Sequence, residues 1–333
     1  MSDMLEQIRT LGDQLRWARD LDAPELRPNP EVLVGGMGGS GIAGDYGAAL
    51  AGPTQGRVAV HKGYGPLPGW VRRSRPTVIA ASYSGNTEET LDLVGAAAGE
   101  GLPIVTITTG GRLAELTSEN GWPGVAVPSG MQPRAAVGYM AGAVARLLTA
   151  LDILPDQGGP LDEAADLADS AVTEGSETWN LAHSLAAGLV GKVTIVYGGG
   201  PVSSTAAQRW KTQINENAKM PAWWSALPEL DHNEIVGWET LPETTRDLLG
   251  IIALTDEADH PRVANRLGHT SALTESAVPW LAEVAAKGDS ELARLISLTV
   301  CGDLVSYLLA IEAGVDPVPV DTIEKLKELL AKD

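Results

Sequence analysis

Short apolar runs rich in β-branched residues recur along the first half of the chain, and most are followed by a longer segment rich in alanine and leucine. These runs lie at residues 31–36, 56–63, 76–84, 102–110 and 123–130. Continuous apolar strands that alternate with helices are typical of a parallel sheet covered on both faces. The first half of the chain is therefore predicted to form one doubly wound α/β domain.

The same pattern restarts in the second half, after a polar and acidic segment at residues 154–175. This segment is predicted to be a linker that continues partly as helix. Further strand-like runs follow at residues 192–200, 247–256 and 270–276. Two helical patterns then end the chain, so the second half is also predicted to be α/β.

The two halves resemble one another at their first strands. "VLVGGMGGSGIAGDY", which begins at Val32, and "VTIVYGGGPVSSTAA", which begins at Val193, share the order strand, glycine-rich turn and helix start. A tandem pair of similar domains is the simplest interpretation. We therefore predict two tandem doubly wound α/β domains, residues 1–155 and 156–333, each with a mainly parallel sheet flanked by helices.

Charge and cysteine content restrict the partners and the compartment. The formal net charge of −19 opposes general affinity for nucleic acid, which needs clustered basic residues. The single cysteine, Cys301, excludes an intrachain disulfide and fits a reducing cytoplasm. The best candidate for a membrane span, residues 137–154, contains Arg146. We expect a cytoplasmic protein without a nucleic-acid or membrane partner.

A glycine-rich turn, "GGMGGSG" at residues 35–41, follows the first predicted strand and opens a helix. Glycine lets the backbone approach a ligand closely, and a helix N-terminus offers unpaired N–H groups. The spacing fits neither the dinucleotide-binding GxGxxG pattern nor the P-loop, which disfavours a nucleotide. A turn that needs glycine only for packing remains the alternative.

A hydroxyl-rich loop, "SYSGNTEET" at residues 82–90, follows the third predicted strand. Ser82, Ser84 and Thr87 offer hydroxyl donors, and Gly85 permits a sharp turn. Ligands of parallel sheets bind at the carboxyl ends of the strands, and neutral donors at a helix N-terminus can hold a phosphate monoester. A plain capping turn, with Asn86 or Thr87 capping a helix near residue 88, needs only one of these groups. The loop therefore favours phosphate binding.

Three charged or titratable residues are candidates for chemistry. Arg134 follows the fifth predicted strand at a helix start, where a cation is unfavourable for the helix dipole and so suggests a bound oxygen-rich ligand. Glu216 lies in a predicted helix between two asparagines, and a partly buried glutamate can act as a base near neutral pH. His232 lies in the polar segment "LDHNE". An ordinary surface arginine, a surface ion pair and a plain loop histidine are the respective alternatives.

No metal or hydrolase motif stands beside these candidates. Asp231 and Glu234 flank His232, but nothing nearby completes a metal-ligand set, and HExxH is absent. GxSxG is also absent, so Ser-His-Asp hydrolysis is unsupported. We expect neither a metal nor an organic cofactor.

Taken together, "GGMGGSGIAGDY" and "SYSGNTEET" resemble the phosphosugar-binding signature of the sugar isomerase (SIS) family. "NENAK", "LDHNE" and the C-terminal "DPVPVDTIEKLKELL" resemble the bifunctional phosphoglucose/phosphomannose isomerase branch of that family, and the likeness extends over nearly the whole chain. The resemblance implies two SIS domains and a homodimer with shared active sites. It also implies metal-independent interconversion of glucose 6-phosphate, mannose 6-phosphate and fructose 6-phosphate through a cis-enediol.

The resemblance assigns roles to residues of this sequence, one motif at a time. The expected ligands of the 6-phosphate are Gly39, Ser40, Ser82, Ser84 and Thr87. Glu216 is expected to be the catalytic base, and His232, supplied by the partner subunit, is expected to serve ring opening. Arg134 matches an arginine of the family site. The family site also includes a lysine of the last helix. In this sequence it corresponds to Lys327, with Lys325 as the alternative.

Two other functions remain open at this stage. One is a phosphosugar-binding regulator without turnover, which would not need Glu216 or His232. The other is an isomerase of a different phosphosugar, such as a pentose phosphate.

Overall fold

The structure, a computed structural model, describes residues 3–52 and 56–332 and contains two parallel β-sheets. The first sheet contains β1 (Glu31–Gly35), β2 (Arg57–His61), β3 (Thr77–Ala81), β4 (Ile104–Thr108) and β5 (Gly124–Ala126). The second contains β6 (Val193–Gly198), β7 (Ala222–Ala226), β8 (Leu249–Thr255) and β9 (Trp280–Ala285). The strand orders are β2-β1-β3-β4-β5 and β7-β6-β8-β9, and every neighbouring pair is parallel. The predicted fold class is confirmed.

Helices connect the strands and cover both sheets. The first half contains α1 (Met4–Arg9), α2 (Leu11–Arg19), α3 (Gly38–Ala51), α4 (Gly69–Ser74), α5 (Glu88–Gly99), α6 (Gly111–Asn120), α7 (Val137–Ala150) and α8 (Gly158–Ala171). The second contains α9 (Glu177–Leu189), α10 (Pro201–Gln213), α11 (Glu234–Gly237), α12 (Pro242–Leu248), α13 (Pro261–Thr274), α14 (Glu291–Glu312) and α15 (Asp321–Leu330). Two 3₁₀-helices, Pro133–Ala135 and Glu229–His232, and one π-helix, Ile214–Ala218, carry candidate site residues.

The strand predicted at residues 270–276 is wrong, because most of that run belongs to α13. Leu267, Thr270 and Thr274 are buried. Their spacing of three and four residues follows one face of a helix and not the alternation of a strand. The last strand of the second sheet is instead β9, formed by "WLAEVA".

The segment at residues 154–175 forms helix α8 over most of its length, as its predicted partial helicity suggested. This helix packs against α2 of the first half and against α14 of the second half. The segment therefore joins the two halves through packed surface, and the domain boundary at residue 155 stays a prediction.

One core extends across both sheets. Helices α3 and α10, which follow the two similar glycine-rich turns, pack against each other. The buried hydroxyl of Tyr46 on α3 forms a hydrogen bond with Thr299 on α14. Arg209 on α10 donates to the carboxylate of Asp303 at 3.1 and 2.7 Å, and both side chains are almost fully buried. This pairing satisfies two charges that would otherwise be costly to bury.

Helix α14 is the one helix of the described chain that is long and apolar enough to span a membrane. Most of it is buried inside the protein, as in the central helix of a soluble domain. Cys301 lies on this helix, and burial raises the pKa of its thiol to about 12. The thiol is therefore an inert part of the core.

Helix α15 differs from α14 because all of its residues are exposed. Its apolar side chains Ile323, Leu326, Leu329 and Leu330 are 41%, 56%, 60% and 47% exposed. Their spacing places them along one side of the helix. The described chain therefore leaves an amphipathic helix with an uncovered apolar face.

Candidate active site

The predicted phosphate loops lie at the point where the first sheet changes direction. In the order β2-β1-β3-β4-β5, strands β1 and β3 are neighbours whose following helices leave on opposite faces of the sheet. The loops at residues 35–41 and 82–90 follow these two strands. A crevice at such a position is where ligands of doubly wound sheets bind.

Glycines in the first loop are required by close backbone contacts. A β-carbon at Gly36 would lie 2.8 Å from the carbonyl oxygen of Ala81 at the end of β3. A β-carbon at Gly39 would lie 2.8 Å from the carbonyl oxygen of Pro133 and 3.2 Å from the α-carbon of Arg134. These glycines therefore bring the loop against β3 and against the segment that carries the candidate arginine.

The hydroxyl groups of the two loops are partly engaged with each other. Ser40 Oγ accepts a hydrogen bond from the backbone N–H of Tyr83 at 3.1 Å. Ser82 Oγ accepts from the N–H of Gly85 at 3.1 Å and lies 2.9 Å from Thr87 Oγ1. Gly85 has a positive φ of 70°, which a turn this sharp requires. The loops thus form one connected structure.

Helix α5 begins at Glu88, close to the predicted position, with Thr87 at its N-cap. Among the described residues, no side chain accepts a hydrogen bond from the first turn of this helix in the capping manner, and the Thr87 hydroxyl pairs with Ser82. The plain capping turn is therefore contradicted. Ser84 is exposed, and within the described part of the chain its Oγ accepts one bond, of 3.3 Å, from the N–H of Asn86. Hydroxyl and helical N–H donors are thus available together at this loop.

Arg134 lies in the short 3₁₀-helix after β5, with its side chain 3% exposed. The alternative of an ordinary surface arginine is wrong. Its guanidinium donates to Asn217 Oδ1 at 2.7 Å, and to the carbonyl oxygens of Pro317 at 2.7 Å and Val318 at 2.8 Å. Burial lowers the pKa of Arg134, while the nearby carboxylate of Glu216 opposes that shift. Arginine stays charged in proteins, so Arg134 supplies a fixed positive charge.

Glu216 lies in the π-helix that continues α10, and its side chain is 26% exposed. Its Oε2 is 3.8 Å from the Nη1 of Arg134. Asn217, the next residue, is buried and donates to Ser306 Oγ at 2.9 Å while its Oδ1 accepts from Arg134. π-Helical turns are rare and frequently occur at functional sites. The carboxylate is thus partly buried, beside a fixed cation, and reachable from solvent.

His232 and Lys327 are not brought to this pair within one chain. His232 is exposed on the 3₁₀-helix Glu229–His232, and its side chain makes no hydrogen bond to the described residues. Lys327 and the alternative Lys325 are exposed on α15. Their catalytic roles stay predictions, as do those of the other site residues.

A tryptophan-rich cavity of about 370 Å³ lies near His232 on the second sheet. It is lined by Ile195, Trp223, Trp224, Ser225, Glu234, Gly237 and Trp238. The carboxylate of Glu234 accepts hydrogen bonds from Tyr197 and Ser225, both at 2.5 Å. Trp223 is 58% exposed, so this surface is open in the single chain.

Comparison with known proteins places the chain in a family. It is 37% identical to a bifunctional phosphoglucose/phosphomannose isomerase of Caldicellulosiruptor bescii, over 99% of both chains. It is 36% identical to the protein of the same description from Aquifex aeolicus, over 100% of this chain and 99% of that protein. The chain belongs to the bifunctional phosphoglucose/phosphomannose isomerase family. The predicted family resemblance is thereby confirmed.

Two further comparisons agree with membership of the bifunctional isomerase family. Residues 178–330 match the family described as bacterial phospho-glucose isomerase C-terminal SIS domain. The fold is similar to that of the C-terminal domain of glucosamine-fructose-6-phosphate aminotransferase from Francisella tularensis. The TM-score is 0.72 at 12% identity, over 95% of this chain and 98% of that one. At that identity the likeness shows the SIS-type fold alone.

The sequence motifs do not predict two parts of the arrangement around Arg134. The sequence indicates Asn217 only as a neighbour of Glu216, although it binds both Arg134 and Ser306 in the structure. The carbonyl groups of Pro317 and Val318, which accept from Arg134, were not considered. The available indication was the proline-containing stretch "DPVPV" before α15, where proline leaves carbonyl oxygens without an internal helical partner.

Proposed function

We propose that this protein interconverts glucose 6-phosphate, mannose 6-phosphate and fructose 6-phosphate as a metal-independent aldose–ketose isomerase. The carrying observation is the partly buried carboxylate of Glu216, 3.8 Å from the buried guanidinium of Arg134. Gly39, from the first phosphate loop, lies against the backbone of that arginine. Full-length similarity to the bifunctional isomerases supports the choice of substrates.

The reaction needs one base and one source of positive charge. Glu216 takes the proton from C2 of the open-chain aldose and returns it to C1, which a single carboxylate can do. The enediolate formed in between carries negative charge, and Arg134 lies where that charge can be stabilised. The intermediate is planar at C1 and C2, and rotation about its C2–C3 bond presents either face of C2 to the same carboxylate. One base can therefore serve both glucose and mannose 6-phosphates.

The 6-phosphate is proposed to bind the two loops at the carboxyl ends of β1 and β3. The proposed ligands are Gly39, Ser40, Ser82, Ser84 and Thr87. The exposure of Ser84 and the uncapped start of α5 support this assignment, since both leave donors for an anion. No cation of the protein is needed for this contact.

Ring opening is proposed to use His232 of a second copy, which makes the active form a homodimer with shared sites. Histidine suits acid–base work at neutral pH. Within one chain His232 has no contact with Glu216, and the apolar face of α15 and Trp223 lie uncovered. Uncovered apolar surface of this kind marks an interface. Lys327 on α15 is the proposed site lysine.

A coupled assay of the purified protein tests the proposed reaction. We expect fructose 6-phosphate to form from glucose 6-phosphate and from mannose 6-phosphate with comparable kcat/KM. We expect EDTA to leave both rates unchanged; the described residues contain no group of three or more His, Cys, Asp or Glu that could hold a metal ion. Absence of turnover, with either sugar phosphate still raising the Tm, would instead indicate a binding protein or an isomerase of another phosphosugar.

The phosphate loop is tested by the double substitution Ser84→Ala/Thr87→Ala. We expect KM for both aldose phosphates to rise about tenfold or more while kcat changes little, because the phosphate contact is the same in substrate and transition state. Steady-state kinetics on the purified variant measure this.

A matched control for the loop variant is Ser118→Ala/Thr173→Ala, which removes two exposed hydroxyls far from the loops in sequence. Its kinetics should equal those of the parent. An unchanged KM in Ser84→Ala/Thr87→Ala would remove the phosphate assignment from this loop.

A further inference from the structure

Lys219 ends the π-helix that carries Glu216, in a backbone conformation that lysine seldom adopts. Its φ of 57° and ψ of 25° lie in the left-handed region. Glycine or asparagine usually occupies such a helix end, because a larger side chain crowds the backbone there. Strained backbone conformations cluster at functional sites. The side chain of Lys219 is therefore the feature that needs an explanation.

The ammonium group of Lys219 connects two separate pieces of chain. Its Nζ donates to the carbonyl oxygen of Glu216 at 2.5 Å and to that of Pro317 at 3.2 Å. Burial of the ammonium group lowers the pKa of Lys219, and the neighbouring charge of Arg134 adds to the effect. Two of the three ammonium donors thus bond to carbonyl groups of the protein, although the residue as a whole is exposed.

Arg134 holds the same stretch of chain from the other half of the molecule. Its Nη2 donates to Pro317 at 2.7 Å and to Val318 at 2.8 Å, so the Pro317 carbonyl accepts from both cations. Hydrogen bonds from charged donors are about twice as strong as neutral ones. Residues 316–318 end two residues before the N-terminus of α15, whose own residues are all exposed.

We propose that Lys219 is a positioning residue, which with Arg134 clamps residues 316–318 to the helix of Glu216 and thereby fixes where α15 presents Lys327. The inference rests on the proposed isomerase function and on the role of Lys327 within it. Lys219 acts through Lys327 and does not touch the substrate. The clamp gives a reason for retaining lysine at a position whose backbone favours glycine.

The substitution Lys219→Gly tests the clamp, because it removes the ammonium group and suits the left-handed backbone. We expect the Tm to stay at or above that of the parent, while amides of residues 315–330 exchange with deuterium about tenfold faster. We expect kcat/KM for glucose 6-phosphate to fall about ten- to hundredfold, as for a misplaced catalytic group. Lys211→Ala, a change to a nearby lysine whose ammonium group has no partner among the described residues, should alter neither quantity.

A double-mutant cycle separates positioning from direct action. If Lys219 acts through Lys327, then Lys219→Gly should cause little further loss of kcat/KM in a Lys327→Ala background, and Lys219→Arg should restore most of the parental rate. The proposal would be overturned if the two substitutions lowered kcat/KM independently, so that their fold-losses multiplied in the double variant. It would also be overturned if Lys219→Gly kept the parental kcat/KM and the parental rate of deuterium exchange. Deuterium exchange does not depend on turnover, so it tests the clamp even if the parent isomerises neither sugar phosphate.

Discussion

Replacement of Glu216 by glutamine is expected to lower kcat for both aldose phosphates by about 10²- to 10⁴-fold, the usual contribution of a general base. Glutamine keeps the size of the side chain and removes the proton acceptor. The ion contact with Arg134 is long, at 3.8 Å, and the side chain is 26% exposed. The substitution should therefore leave the fold and the phosphate loops intact. Coupled assays at saturating substrate measure the loss of kcat.

A binding measurement on the Glu216→Gln variant distinguishes loss of the catalytic base from loss of the substrate-binding site. Its dissociation constant for fructose 6-phosphate, measured by calorimetry, should stay within about threefold of the parental value, since binding and turnover use different groups. Glu275→Gln makes the same chemical change at an exposed position on the second half and should leave kcat unchanged. Parental turnover by Glu216→Gln would place the base on another residue.

The second large effect is expected when two inactive variants are combined in one dimer. Glu216→Gln and His232→Ala should each be nearly inactive as pure proteins. If His232 serves the partner's site, a hybrid dimer contains one complete site and one doubly defective site, so it should show about half of the parental activity. Co-expression with two different affinity tags, followed by tandem purification, gives the hybrid for assay.

Arg134 supplies a matched control for the hybrid experiment. It lies in the same chain as Glu216, 3.8 Å from its carboxylate, so these two residues belong to one site whichever subunit provides the histidine. A hybrid of Glu216→Gln with Arg134→Gln therefore has a defect in both sites and should stay inactive. An inactive Glu216→Gln/His232→Ala hybrid would show that the histidine does not cross between subunits.

Local patterns sufficed to predict the strands that are buried on both faces. β3 and β4 are fully buried along their length and are therefore continuous apolar runs. β7 is less evident because it is an edge strand in which Trp223 and Trp224 are exposed. The strand prediction at 270–276 is wrong because the few apolar residues of this short run do not distinguish a strand from a helix.

The arrangement around Arg134 could not be predicted in the same way. Its partners Asn217 and Val318 are 83 and 184 residues away in the sequence, so no local pattern indicates that they meet. The loop motifs did indicate that hydroxyls and glycines gather at one edge of the sheet. They did not indicate that Ser82 and Thr87 bind each other, because that pairing depends on the turn geometry at Gly85.

The contact between α3 and α10 has a consequence for folding cooperativity. Helix α3 follows a strand of the first sheet and α10 follows a strand of the second. Tyr46, Arg209 and Asp303 are buried where the two halves of the chain meet. Melting of either half alone would expose this apolar surface. It would also break hydrogen bonds that cross between the halves, such as those of Tyr46 with Thr299 and of Arg209 with the carbonyl oxygen of Arg134, so it is costlier than melting both. Although the sequence is built as two similar segments, its thermodynamic unit is the whole chain. Partial unfolding is thereby confined to peripheral elements such as α15.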